Sequence, residues 1–166
     1  MTKVNLDSQQ KLIEYLADMG FDLAYYGYYD AHVDRERKPM SFVKRELLTE
    51  TLAETALDFK YDSKERFFGH RQRQVNMEFG LNIAFRHSAA EFILWIKVDA
   101  HEEILGDPYQ VLAQSVAEWR NPGVEHDPPY PTLPFSNRQE LVEVVGFGVT
   151  WFNQLKLYIL ARESFQ

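Results

Sequence analysis

Five histidines and no cysteine set the chemistry open to this 166-residue chain. Without cysteine there is no disulfide framework, no thiolate metal site and no thiol nucleophile. Histidine instead stands beside carboxylates in three short groups. His32 accompanies Asp34, His101 sits among Asp99, Glu102 and Glu103, and His126 precedes Asp127. A carboxylate next to an imidazole can orient its tautomer for base catalysis or complete a hard-metal site. None of the three spacings is diagnostic, and solvated charged surface explains the same letters. The group at 99–103 is the best of them, because it follows a long apolar run that reads as a strand, and a strand end mounts side chains rigidly.

Two other stretches combine aromatic and polar chemistry. KERFFGHRQR places Lys64, Arg66, His70, Arg71 and Arg73 beside Phe67 and Phe68, a combination that can hold phosphates and stack on bases. A strand whose arginines pair with nearby carboxylates accounts for it as well, and nucleic-acid binding ranks low. Tyr25, Tyr26, Tyr28 and Tyr29 surround Gly27. Tyrosine offers large contact area at small entropic cost and is enriched at interfaces, so these four residues join Asp99, His101, Glu102 and Glu103 as the candidate binding residues. The glycine-rich phosphate loop, the G-x-S-x-G elbow, H-E-x-x-H and the EF-hand loop are all missing. Gly146 and Gly148 make only an isolated G-x-G inside an apolar helical pattern. No catalytic residue, metal ligand or cofactor is therefore assigned.

The elements that must position these residues follow from periodicity. Asp7 or Ser8 caps a first helix whose Leu12, Ile13, Leu16 and Met19 form one stripe, and Gly20 ends it. Phe21 to Tyr29 is rich in aromatics and reads as a half-buried strand. The charged run from Asp30 to Met40 is a loop. Over Ser41 to Ala56, glutamates at 46, 50 and 54 favour a helix although the threonines pull toward strand. Leu57, Phe59 and Tyr61 then alternate with polar residues. Val75, Met77, Phe79, Leu81, Ile83 and Phe85 do so over a longer run, which marks a strand with one face on a core. Glu91 to Asp99 is a more central strand paired with it as a hairpin, and residues 64–74 supply a further strand or the approach to one.

Past the strands, Asp107 caps a helix that opens at Pro108 and buries Tyr109, Leu112, Val116 and Trp119. The prolines at 128, 129, 131 and 134 make an extended connection. A final helix opens at Ser136, with Gln139 completing a capping box, and buries Leu141, Val144, Val145, Phe152, Leu155 and Ile159; a strand over 142–149 is its competitor. Strands grouped together with helices around them give an α+β class: an antiparallel β-meander of three to five strands with helices packed on at least one face.

Length and composition suit one globular domain spanning residues 1–166, with 45% hydrophobic and 26% charged residues. Asp7, Glu14 and Asp18 interrupt any signal-peptide core, and Glu143, Asn153, Gln154 and Lys156 break the most apolar stretch, so no membrane association is expected. A cytoplasmic location follows as an expectation. The net charge of −7 divides as −3, +2 and −6 over residues 1–30, 31–73 and 74–166. The acidic C-terminal half suits a basic protein partner better than nucleic acid. The leading expectation is a non-catalytic protein-binding module, of the inhibitor or immunity type that neutralises a toxic enzyme. The alternative is a small-molecule site or small enzyme, with an aromatic-lined cleft between sheet and helices containing Trp95, Trp119 or Trp151 and His101 or His70. A homo-oligomer is compatible with either.

Overall fold

The computed structural model describes residues 6, 8–33, 40 and 43–163. Helix α1 (Gln9–Asp18) begins where the Ser8 hydroxyl accepts the Lys11 N–H at 3.3 Å. The other proposed cap, Asp7, lies outside the described residues, as do residues 34–39 and Ser41. Leu12, Ile13 and Leu16 are buried along one side. Gly20 turns the chain with φ of 73°, a left-handed conformation that a Cβ disfavours.

The chain re-enters helix at once. Helix α2 (Phe21–His32) occupies the aromatic segment for which the sequence predicts a strand. Phe21 and Tyr25, four residues apart, hold their rings 5.9 Å apart on one side. Phe21 also meets Tyr109 and Trp151 edge-on at 5.3 and 5.1 Å. Burial of this helical stripe among aromatic neighbours outweighs the β-preference of the same residue types. Asp22 is also buried, and its carboxylate accepts from Arg120 Nε at 3.1 Å.

Helix α3 (Arg45–Ala53) forms where expected. Its threonines are accommodated, the Thr49 and Thr51 hydroxyls donating to the carbonyls four residues back at 2.9 and 2.8 Å.

The sheet is an antiparallel meander of β1 (Lys60–Asp62), β2 (Phe67–Gln74), β3 (Met77–Arg86), β4 (Ala89–Val98) and β5 (Ile104–Leu105), each paired to the next. A sixth short strand, β6 (Leu133–Pro134), pairs with Ala89 and Ala90 of β4, so part of the proline-rich connection is in the sheet. Only residues 60–62 of the alternation at 57–62 become strand. Val75 departs from its expected buried register: it sits in the β2–β3 turn with φ of 55° and is 87% exposed. His87 and Ser88 both take positive φ in the β3–β4 turn, the twist a two-residue hairpin requires.

Helix α4 (Tyr109–Arg120) starts one residue later than the sequence suggests. Pro108 is its cap residue, and the Asp107 side chain instead accepts from Gln9 Nε2 at 3.0 Å. Trp119 points outward, 51% exposed, rather than joining the buried stripe. Helix α5 (Arg138–Glu163) is continuous across 142–149, which excludes the strand alternative. Its capping box is shifted by one: Asn137 Oδ1 accepts the Glu140 N–H at 2.9 Å while Glu140 Oε1 accepts the Ser136 N–H at 3.1 Å.

The core lies between the helices and one face of the sheet. Phe79, Leu81 and Ile83 of β3 and Phe92, Leu94 and Ile96 of β4 are fully buried there, opposite Leu141, Val145, Phe152 and Ile159 of α5. Each such side chain contributes about 1.5–3 kcal/mol relative to exposure. Gly148 marks the closest approach, since a Cβ built there would run into the Phe92 ring.

Candidate functional site

The strands that fill the core also present a second face. Pleating sends alternate residues to opposite sides, and the register aligns Gly69 with Asn82 and Ile93, Arg71 with Gly80 and Trp95, and Glu78 with Lys97. Among the described residues this face is the less buried one: Ile93 and Trp95 stay half-buried and Lys97 exposed, while their sequence neighbours on the core side are buried, and at its edge Glu91 Oε2 accepts from Gln110 Nε2 of α4 at 2.6 Å. A solvated face of an antiparallel sheet is ordinarily polar. Here Phe67, Ile93 and Trp95 stand on it, joined by Ile104, opposite Lys97 in the register and 63% exposed.

Glycine shapes this surface at two places. The Trp95 indole lies across Gly80, where any Cβ would fall within the ring. Gly69 floors a hollow of about 780 Å³ whose walls include Phe67, Arg71 and Trp95 and, from the β1 segment, Lys60 with the carboxylates Asp58 and Asp62. A Cβ on Gly69 would sit 3.0 Å from Asn82 Oδ1 and 3.2 Å from the Phe67 ring, so a side chain at this position would fill the floor. Basic groups are in excess on strands β2 to β4 of this face, while Asp58 and Asp62 offset Lys60 on the β1 side. Arg71, Arg73, Arg86 and Lys97 project outward against Glu78 and Glu91. Arg73 is paired with Asp99, and Arg71, with a side chain 79% exposed, is 3.8 Å from Glu78. The 64–73 stretch is thus divided, with Phe68 and His70 turned to the core side and Phe67, Arg71 and Arg73 to the open one.

The residues singled out in the sequence lie elsewhere. Tyr25 is 1% exposed, and its hydroxyl donates to the Pro131 carbonyl at 2.6 Å. Tyr26 donates to Gln114 Oε1 at 3.2 Å and stacks on His126 with ring centres 4.4 Å apart. Tyr28 stacks on His32 at 3.9 Å, and Tyr29 meets His126 edge-on at 5.6 Å. Tyr25, Tyr26 and Tyr29 therefore fasten α2 to α4 and to the connection before α5, while Tyr28 meets Phe147 of α5 with ring centres 4.5 Å apart. Burial raises the Tyr26 phenol to about 12, with Asp22 adding to the shift, and pushes the Tyr25, Tyr28 and Tyr109 phenols higher still. All four stay protonated through the neutral range.

The carboxylate–histidine groups are rearranged. His126 reaches Asp30 rather than its sequence neighbour Asp127, with Nε2 2.9 Å from Oδ1 and Nδ1 2.9 Å from the Pro128 carbonyl. His32 Nε2 lies 3.8 Å from Glu143 Oε2, and Asp34 is outside the described residues. His101, Glu102 and Glu103 line an exposed hollow of about 200 Å³ beside Leu105, while Asp99 turns away to Arg73. Among the described residues no group of three or more such side chains is placed to hold a metal ion. The tryptophans do not converge: Trp95 lies on the open face, Trp119 on the exposed side of α4 and Trp151 against Phe21. No helix among the described residues is long and apolar enough to cross a membrane.

The fold is α+β, with helices packed on one face of an antiparallel meander sheet and, among the described residues, a less buried second face carrying Trp95, Ile93, Arg71 and Lys97. Comparison with protein-family models, curated proteins and solved structures gives no match for the chain. Trp95 and Ile93 were the readable signal for this surface, since EFILWIKVD is apolar at outward as well as inward positions of one strand. Two apolar faces suggest a strand covered on both sides, and nothing in the letters distinguishes a second helical layer from an open face.

Proposed function

We propose that this chain is a non-catalytic protein-binding module and that the open face of its sheet is the contact surface. The observation that supports it most is Trp95 laid over Gly80 beside Ile93 and Ile104, apolar area on the side of the sheet turned away from the described core. A half-buried tryptophan flanked by arginine and by exposed apolar area is the composition of interface hot spots. His126 and His32 are drawn to Asp30 and Glu143, apart from His101, and this dispersal favours binding over catalysis.

The concrete form of this reading is an inhibitor of the immunity type, which covers a toxic enzyme with a rigid sheet surface. Such a surface needs little rearrangement on docking, which keeps the entropic cost of association small. Co-expression with the product of the neighbouring gene, followed by gel filtration, tests it. A stoichiometric complex is expected with the unaltered chain and its loss with Trp95→Ala. Failure to form any complex overturns the binding role, and a complex indifferent to Trp95→Ala overturns the choice of face.

A further inference from the structure

We infer that the partner presents an acidic segment to this face, with carboxylates meeting Arg71 and Lys97 and a planar or apolar side chain laid on Trp95. The inference rests on the reading of the face as a partner surface and adds the chemistry of what it holds.

The chain as a whole carries −7, yet the outward positions of β2, β3 and β4 reverse that balance. Their basic groups concentrate at one end. Glu78 lies in register between Arg73 on one side and Lys97 on the other, with Arg71 diagonal to it. One carboxylate, 24% exposed, therefore stands among three cations. Asp99, beyond the end of β4, occupies Arg73. Arg71, 3.8 Å from Glu78 yet with a side chain 79% exposed, and the exposed Lys97 both flank Trp95: Lys97 is two residues along the same strand and Arg71 is across Gly80.

The geometry suits a carboxylate with a flat neighbour. Guanidinium groups take carboxylates in a planar two-point contact. The indole presents its ring at the surface because Gly80 lets it lie down, and the hollow over Gly69 leaves room beside it for a side chain. Asn82 on the floor of that hollow offers both a donor and an acceptor. An extended acidic segment satisfies the cations and the apolar platform together, which a basic segment does not.

Fluorescence anisotropy with labelled peptides tests this. One probe alternates Glu and Tyr over about ten residues, the length of an ordinary strand contact; a second alternates Lys and Tyr; a third is an oligothymidylate of the same formal charge as the first. The Glu/Tyr peptide is expected to bind best and to weaken as salt rises from about 0.05 to about 0.5 M. Trp95→Ala and Arg71→Glu are each expected to weaken it about tenfold or more, the scale of a hot-spot residue. Trp119→Ala, on the exposed side of α4, should leave binding unchanged.

Equal or tighter binding of the Lys/Tyr peptide overturns the inference, as does binding of no peptide at all. Preference for the oligothymidylate overturns it in favour of single-stranded nucleic acid. Dimers of the chain that dissociate on Trp95→Ala without any peptide overturn it in favour of a second copy. The two readings fail differently: a native complex lost with Trp95→Ala but untouched by Arg71→Glu removes the acidic segment and leaves the protein-binding role standing.

Discussion

Two glycines that face aromatic rings across the sheet should respond in opposite ways to the same substitution. An alanine methyl at Gly80 would enter the Trp95 indole, and one at Gly148 would enter the Phe92 ring. Phe92 is 1% exposed and packed on Tyr109, with ring centres 5.2 Å apart. It has nowhere to go. Overpacking of this kind costs up to about 3 kcal/mol, while replacing glycine in a helix interior returns about 1 kcal/mol. Gly148→Ala should therefore destabilise by about 2 kcal/mol, a fall in Tm of about 4–8 °C for a domain of this size. Trp95, on the open face, can swing into solvent.

For Gly80→Ala the lost ring contact is partly offset by the conformational entropy that glycine gives up in a strand, about 0.5–1 kcal/mol. Its stability should stay within about 1 kcal/mol of the unaltered chain, with binding through the face impaired. Thermal unfolding followed by circular dichroism reads the first effect. Tryptophan emission, shifted to the red as the indole gains water, reads the second. A loss of about 3 kcal/mol or more at Gly80 would mean that the indole is locked as a core residue is, and the open-face argument would fall. Stabilisation by Gly148→Ala would refute the packing of α5 on β4.

Two hydroxyls on α2 make a second contrast. Tyr25→Phe strips a donor from the buried Pro131 carbonyl and should cost about 1–3 kcal/mol in urea unfolding. The Tyr28 hydroxyl is buried without a hydrogen-bond partner among the described residues, so Tyr28→Phe should be neutral or stabilising; a cost equal to that of Tyr25→Phe would contradict this placement. Stability should also fall above about pH 10, the ordinary phenol value. Tyr26 rises to about 12 in the fold, and Tyr25, Tyr28 and Tyr109 rise further. The unfolded chain then releases protons that the folded one keeps, so the stability present below pH 10 drains away as pH climbs toward the folded values. Lys156, whose amine burial shifts downward, works the other way and raises stability as pH approaches its unfolded value. The phenols outnumber it, so urea midpoints that hold steady or increase between about pH 10 and 11 would refute their burial.

Much of the fold is legible in local pattern. The alternation through Met77, Phe79, Leu81, Ile83 and Phe85 matches the buried side of β3, and Leu141, Val144, Val145, Phe152, Leu155 and Ile159 are all buried on α5. These elements are long, so period two and period 3.6 separate cleanly. The aromatic segment at Phe21 misleads because tyrosine and phenylalanine favour strands on average, while the i, i+4 spacing of Phe21 and Tyr25 carries the helix in only two residues. Val75 misleads because alternation continues by chance into a turn. The candidate site is less legible still. Tyr25, Tyr26, Tyr28 and Tyr29 look exposed only if they alternate along a strand; wound into a helix they become fasteners. The His126–Asp30 contact joins residues 96 positions apart, which no neighbour pattern announces.

By itself the order of apolar and polar residues determined that strands from the middle of the chain pair in sequence and that helices bury one side of them. It did so because side-chain periodicity and short links are local properties, written within about ten residues of each other. Tertiary structure alone decided that Trp95 and Ile93 stay half-buried on the side away from the core, that Arg71 and Lys97 flank the indole, and that the tyrosines turn inward. Those outcomes depend on where the helices pack: a strand with two apolar faces reads the same whether its second face is roofed or open.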